Sequence, residues 1–226
     1  VVSTQSTGKV MLFLSNVLMG VKGFDLSVFQ GDVSQSTFDC LSKNGMQFAI
    51  FQAQRGPKLN PYAINDYKRA KVSGIKYVDF YMFPTVQKSP QVQVEQTVKY
   101  LKDNGALKDN MIWVDIERKE DYYHQDCAKN QQFLTQLVSE LEKMIGAKRI
   151  GIYANNRSWN DVVCQWTGLS QYPLWYAHYD GVADFSDFKP FGAFKKTINE
   201  IIQGRLKNMC HQCRFQHPMI ENIQKK

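Results

Sequence analysis

Short apolar runs alternate with amphipathic stretches along this chain, and the alternation is regular. Val21-Lys22-Gly23-Phe24-Asp25-Leu26-Ser27 reads as a strand. Ser34 or Ser36 can then cap a helix that carries Phe38 and Leu41 and stops at Asn44-Gly45, since short hydroxyl side chains satisfy the first free amides and glycine ends a helix without steric cost. Phe48 to Ala53 is a second strand, followed by a polar loop and a helix from about Asn60-Pro61 to Ser73-Gly74. Lys76 to Phe83 is a third strand. Its loop holds Pro84 and Pro90, and a helix with Val94, Val98 and Leu101 on one face runs to Asn104-Gly105. Met111 to Glu117 is a fourth strand. Phe133, Leu134, Leu137, Val138, Leu141, Met144 and Ile145 recur at helical spacing before Gly146. Ile150 to Tyr153 and Leu174 to His178 complete six strands.

The repeated unit is strand, loop, helix, glycine, and it predicts an α/β protein with parallel strands joined by right-handed crossovers. An open doubly wound sheet and a β/α barrel both fit. A nucleotide-binding open sheet would show a glycine-rich turn after its first strand, and Phe29-Gln30-Gly31-Asp32 is not one. A barrel places functional side chains at the C-terminal ends of several strands. Asp25, Asp115 and Glu117 all fall there.

The fourth strand carries the most pointed chemistry. Alternate side chains share a face, so Trp113, Asp115 and Glu117 point one way, the two acids roughly 6–7 Å apart at their Cα atoms. Like charges this close favour a shared proton, and partial burial raises at least one pKa further, which keeps a general acid available near neutrality. Taken alone, the stretch fits a strand end entering solvent equally well. Tyr81, Trp113, Tyr153 and Trp175 sit toward the same end, where aromatic faces could pack against sugar rings, and each fits the barrel core equally well.

Composition narrows the class. With 226 residues, 43% hydrophobic and 22% charged, the chain suits one large soluble domain. No apolar run reaches the roughly 20 residues of a membrane span. The net charge of +7 is concentrated from Lys189 onward, where 8 Lys/Arg face 2 Asp/Glu, so it is a property of the tail and no argument for a nucleic-acid partner. Lys9 followed by Val10 to Gly20 reads as a basic flank and short apolar core, a signal-peptide-like leader over residues 1–20, with an N-terminal extension as the other reading. Residues 21–204 are the expected barrel domain and 205–226 a divergent basic tail. If the chain is secreted, Cys127 and Cys164 are one candidate disulfide among its five cysteines. Cys210-His211-Gln212-Cys213, with His217 nearby, lacks a second cysteine pair at zinc spacing, and no metal is expected. The tail has scattered apolar residues without strand alternation and 5 Lys/Arg against one Glu. It is expected to lie outside as a loose helix or extension, leaving the barrel open or imperfectly closed.

Four segments resemble, in order, the family 25 glycoside hydrolases, the Chalaropsis-type lysozymes, and most closely their invertebrate and protist branch. They are Gly23-Phe24-Asp25-Leu26-Ser27, Tyr77-Val78-Asp79-Phe80-Tyr81-Met82-Phe83, Ile112-Trp113-Val114-Asp115-Ile116-Glu117 and Leu174-Trp175-Tyr176-Ala177-His178-Tyr179. The resemblance covers about Val21 to Gly192. It implies an irregular, TIM-like β/α barrel that cleaves the β-1,4 bond between N-acetylmuramic acid and N-acetylglucosamine, with bacterial peptidoglycan as partner and no cofactor or metal. With the leader-like stretch before it, the chain is expected to be a secreted or lysosomal/phagosomal monomer with no nucleic-acid or membrane partner. Carried over, Glu117 is the general acid, Asp115 stabilises the charge on the sugar or orients the substrate's own acetamido group, and Asp25 positions the site. Tyr81, Trp113, Tyr153, Trp175 and Tyr179 are the substrate-binding candidates. The family usually ends on a closing strand that supplies a further acid. Here only Glu200 and Glu221 are acidic after Gly192. Two other readings therefore stay open: a non-catalytic carbohydrate-binding relative, and a barrel enzyme acting on chitin.

Overall fold

The computed structural model describes residues 21–117, 122–178, 188–194, 197–202 and 220–224. Among the described residues there are nine strands and five α-helices. In chain order they are β1 (Val21–Leu26), α1 (Gln35–Lys43), β2 (Phe48–Arg55), β3 (Lys58–Leu59), α2 (Ala63–Val72), β4 (Tyr77–Phe83), α3 (Pro90–Asp103), β5 (Ile112–Asp115), α4 (Cys127–Ile145), β6 (Ile150–Ala154), α5 (Asn156–Val163), β7 (Leu174–His178), β8 (Thr197–Ile202) and β9 (Ile220–Gln224). β1, β2, β4, β5, β6, β7 and β8 pair in parallel, each with the next. The expected irregular β/α barrel is the fold observed. β3 is a short antiparallel return on β2 that the sequence pattern does not announce.

Irregularity is concentrated on the C-terminal side. β9 runs antiparallel both to β8 and to β1, with Val21 opposite Gln224 and Asp25 opposite Ile220. The expectation that residues 205–226 lie outside the barrel is thus corrected for Ile220–Gln224. The reason is that a strand wedged between two others is held by its backbone amides and carbonyls, which any sequence supplies, and does not require apolar alternation. The leader of residues 1–20 and the Cys210 to Cys213 segment lie outside the described residues.

Local sequence accounts for the helices. Ser34 and Ser89 accept hydrogen bonds from the third helical amide of α1 and α3, and Pro90 opens α3 where its missing N–H costs nothing. Asp126 caps α4 through the amides of Ala128 and Lys129. Asn155 and Ser158 form a reciprocal cap on α5, a helix the apolar pattern leaves unpredicted. The stop glycines at 45, 74, 105 and 146 take φ between 67° and 87°, the left-handed region that only glycine enters cheaply. Cys127 and Cys164 form a disulfide between the start of α4 and the end of α5. Cys40 of α1 is also disulfide-bonded.

Two apolar layers result. The larger lies between strands and helices and includes Phe24, Phe38, Phe51, Phe80, Leu101, Leu137 and Trp159. The smaller fills the barrel interior with Phe48, Ile50, Tyr81, Trp113, Tyr153 and Trp175. One charged side chain is also lost to the interior: Asp66, in the first turn of α2, is 1% exposed, and its Oδ1 has no hydrogen-bond partner among the described residues. Its neighbour Arg69 pairs instead with Asp32 at 2.5 Å.

Candidate active site

The inward face of the barrel can be followed through the strand register. Asp25 lies opposite Ile50, Ile50 opposite Asp79, Tyr81 opposite Trp113, Trp113 opposite Gly151, Asp115 opposite Tyr153, and Tyr153 opposite Trp175. Trp175 is the hub of the interior. Its ring meets Tyr81, Trp113 and Tyr153 edge-on at centroid distances of 6.2, 5.8 and 4.7 Å. All four aromatic candidates are therefore buried, Trp113 and Trp175 at 1% and 2% exposure. They form the packed floor under the acids. Tyr179 lies outside the described residues.

Close approach sets one glycine. A Cβ on Gly151 would stand 2.2 Å from the indole of Trp113, its partner on the neighbouring strand. Gly151→Ala is expected to displace Trp113 within a filled barrel and cost about 1–3 kcal/mol, as overpacking does. A lowered denaturant midpoint with an altered near-ultraviolet tryptophan signal would register it. A wild-type midpoint would show that the ring moves freely.

The acids gather at the C-terminal mouth. Asp115 ends β5 and is 5% exposed, with an Oδ1 that finds no hydrogen-bond partner among the described residues. Glu117 follows two residues later, half-buried, with the Tyr153 hydroxyl 3.4 Å from its Oε1. The connection is pinned on both sides: the Ile116 amide donates to the Tyr153 carbonyl at 2.9 Å, and the Tyr123 hydroxyl to the Asp115 carbonyl at 3.0 Å. Burial pushes the Asp115 carboxyl well above the usual carboxylate range, and the charges of Glu117 and Asp25 push it further. Burial also raises Glu117, against the hydrogen bond from Tyr153 and the attraction of Arg55. The same three acids act on the Tyr81 hydroxyl, whose pKa burial and their charge hold high. Asp25 and Glu117, expected from the ends of the first and fourth strands, both act on Asp115.

Three participants escape the sequence reading. Arg55, the last residue of β2, is the cation that opposes the acids. Reading the strand as ending at Ala53 assigns Arg55 to a polar loop, whereas β2 runs on to Arg55. Asp79 accepts from the Trp113 indole at 3.2 Å and the Met111 amide at 2.9 Å, so it fixes the ring beneath Asp115. An acid in mid-strand was the available signal. Tyr123 is missed because nothing in its loop distinguishes it.

Among the described residues no cluster of His, Cys, Asp and Glu could hold a metal ion. The arrangement of the described residues suits proton transfer: Asp115 and Glu117 are both raised by burial, Asp115 further by its acidic neighbours, with Asp25 beside them and Arg55 opposing.

A family model described as lysozyme-like protein 1 matches residues 23–200. The chain is 38% identical over 186 residues to a probable GH family 25 lysozyme 2 of Dictyostelium discoideum, covering 80% of this chain and 82% of that one. It is 33% identical to lysozyme-like protein 5 of Caenorhabditis elegans, covering 84% and 88%. The backbone is similar to that of a family GH25 lysozyme from Aspergillus fumigatus, with a TM-score of 0.68 at 20% identity over 89% of this chain and 92% of the other. With a barrel of that kind, acids at its mouth and relatives matched over most of their length, the chain belongs to the glycoside hydrolase family 25 lysozymes.

Proposed function

We propose that the protein is an N-acetylmuramidase that hydrolyses the β-1,4 bond between N-acetylmuramic acid and N-acetylglucosamine in bacterial peptidoglycan. The observation that carries this reading is the placing of two acids at the mouth of the barrel, Asp115 buried at the end of β5 and Glu117 half-buried two residues on beside the Tyr153 hydroxyl, with burial raising both carboxyls. Glu117, the more accessible of the two, protonates the leaving glycosidic oxygen. Asp115 faces the positive charge that develops on the sugar, or holds the acetamido group that attacks in its place. That developing charge favours an ionised Asp115, which leaves the proton of the pair with Glu117 when it is needed. Water then adds to the sugar and returns its proton to the Glu117 carboxylate. Asp25 positions the ring from β1. The relatives named as lysozymes support the same substrate class.

Action outside the cytosol belongs to the same proposal. The Cys127–Cys164 disulfide and the leader-like pattern before Gly20 support a secreted or lysosomal enzyme. No described helix is long and apolar enough to cross a membrane. Incubation with purified wall and with chitin, followed by assay for new reducing ends, tests the reaction. Release from wall alone is expected. Binding to wall without release would leave a carbohydrate-binding protein, and release mainly from chitin would reassign the substrate.

A further inference from the structure

A cavity of about 390 Å³ opens at the mouth on the β1 and β2 side, with Val28, Arg55, Lys58, Leu59, Asn60 and Tyr122 in its lining. Each reaches it from the end of the barrel that carries the acids. Val28 follows Asp25 by three residues, Arg55 ends β2, and Tyr122 lies five residues past Glu117. The walls are built rather than incidental. The Tyr122 ring packs edge-on against Phe83 at 4.9 Å and covers Gly56, where a Cβ would stand 2.5 Å away. Its carbonyl accepts from the Val86 amide at 2.9 Å. Asn60 is tied to the Gln52 carbonyl at 2.8 Å, and its own carbonyl accepts from the Tyr100 hydroxyl at 2.9 Å. The Arg55 guanidinium rests 4.3 Å over the ring of Phe29, itself 63% exposed.

The charge here is opposite to that of the acid cleft. Among the described residues, Arg55 and Lys58 line the cavity and no carboxylate does. Lys58 sits in the exposed β3 turn and makes no ion pair among the described residues. Two cations above apolar and aromatic walls recognise an anion carried on a partly apolar chain. Arg55 already faces the acids of the cleft, so a neutral sugar would leave the charge of Lys58 unanswered. The cavity adjoins the cleft, so its ligand is a substituent of the sugar held there.

We propose that this cavity binds the carboxylates of the acidic peptide borne by the muramic residue, so that the enzyme prefers peptide-bearing glycan strands to bare ones. This rests on the muramidase reading. The lactyl carboxylate of a bare strand has the same charge, and amidase treatment, which removes the peptide and leaves that carboxylate, separates the two sources.

The experiment measures dissociation constants for soluble, uncross-linked strands before and after amidase treatment. Wild-type protein is expected to bind peptide-bearing strands about tenfold more tightly, the worth of one charge-assisted contact. Lys58→Gln should abolish the difference, Lys58→Arg should restore it, and binding of bare strands should stay within about twofold throughout. Equal weakening on both strands would assign Lys58 to the glycan they share, and weakening on neither, or on the bare strands whose lactyl carboxylate amidase frees, would remove it from peptide recognition. Each of these outcomes overturns the proposal. Reducing-end release by the wild type on the same strands keeps the two readings apart. Release without peptide preference overturns only the cavity, and preference without release overturns only the muramidase.

Discussion

Glu117→Gln is expected to lower wall-hydrolysis turnover by about two to four orders of magnitude, the range that a positioned general acid supplies. The substitution keeps the shape of the side chain and its contact with the Tyr153 hydroxyl while removing the titrating proton. Affinity for the glycan should change little. Stability should not fall, since removing one of three neighbouring negative charges relieves the repulsion that raises Asp115. A kcat within tenfold of the wild type would exclude Glu117 as the acid. Asp115→Asn should also be slow, and the double variant scarcely slower than either single one, because the two carboxyls act as a unit.

The second large effect concerns stability against pH. Burial raises the Asp66 carboxyl from its ordinary 3.8 to about 7, against the attraction of Arg69 and with the help of Asp32. The folded protein therefore keeps a proton that the unfolded chain releases. The sign follows: stability from this group is complete below about pH 4 and is lost as pH rises through about 7. At about 1.4 kcal/mol per unit the loss amounts to about 4 kcal/mol. Asp79, Asp115 and Glu117 are also raised and act in the same direction. Unfolding free energies of wild type and Asp66→Asn, measured from pH 4 to pH 8, isolate the share of Asp66. The wild-type curve should fall more steeply, and parallel curves would mean that Asp66 does not titrate in this range.

Much of this architecture is legible from the chain because its signals are local. Caps such as Ser34 and Ser89, stops such as Gly45 and Gly146, and the apolar face of α4 are set by neighbours within a few residues. The acids were legible for the same reason, since an acid at a strand end is conspicuous. What escaped was non-local. Arg55 joins the site only when β2 and β5 are on one ring, and Asp79 matters only through an indole that is 34 residues away in sequence. The four aromatic candidates show the limit of the pattern itself: alternation places Trp113 and Trp175 inward, but only the packed barrel shows them to be floor. β9 was illegible because its contribution is made by main-chain groups, on which side-chain alternation is silent.

The pairing of β9 with β1 joins strands separated by about two hundred residues. During synthesis at roughly 5–20 residues per second, β1 emerges roughly 10–40 s before its second partner exists. Through that interval β1 can pair with β2 but presents its other edge, beside Asp25, to whatever strand is near. β9 can cover that edge only after translation has passed residue 224, so until then the edge beside Asp25 stays open to pairing with other strands.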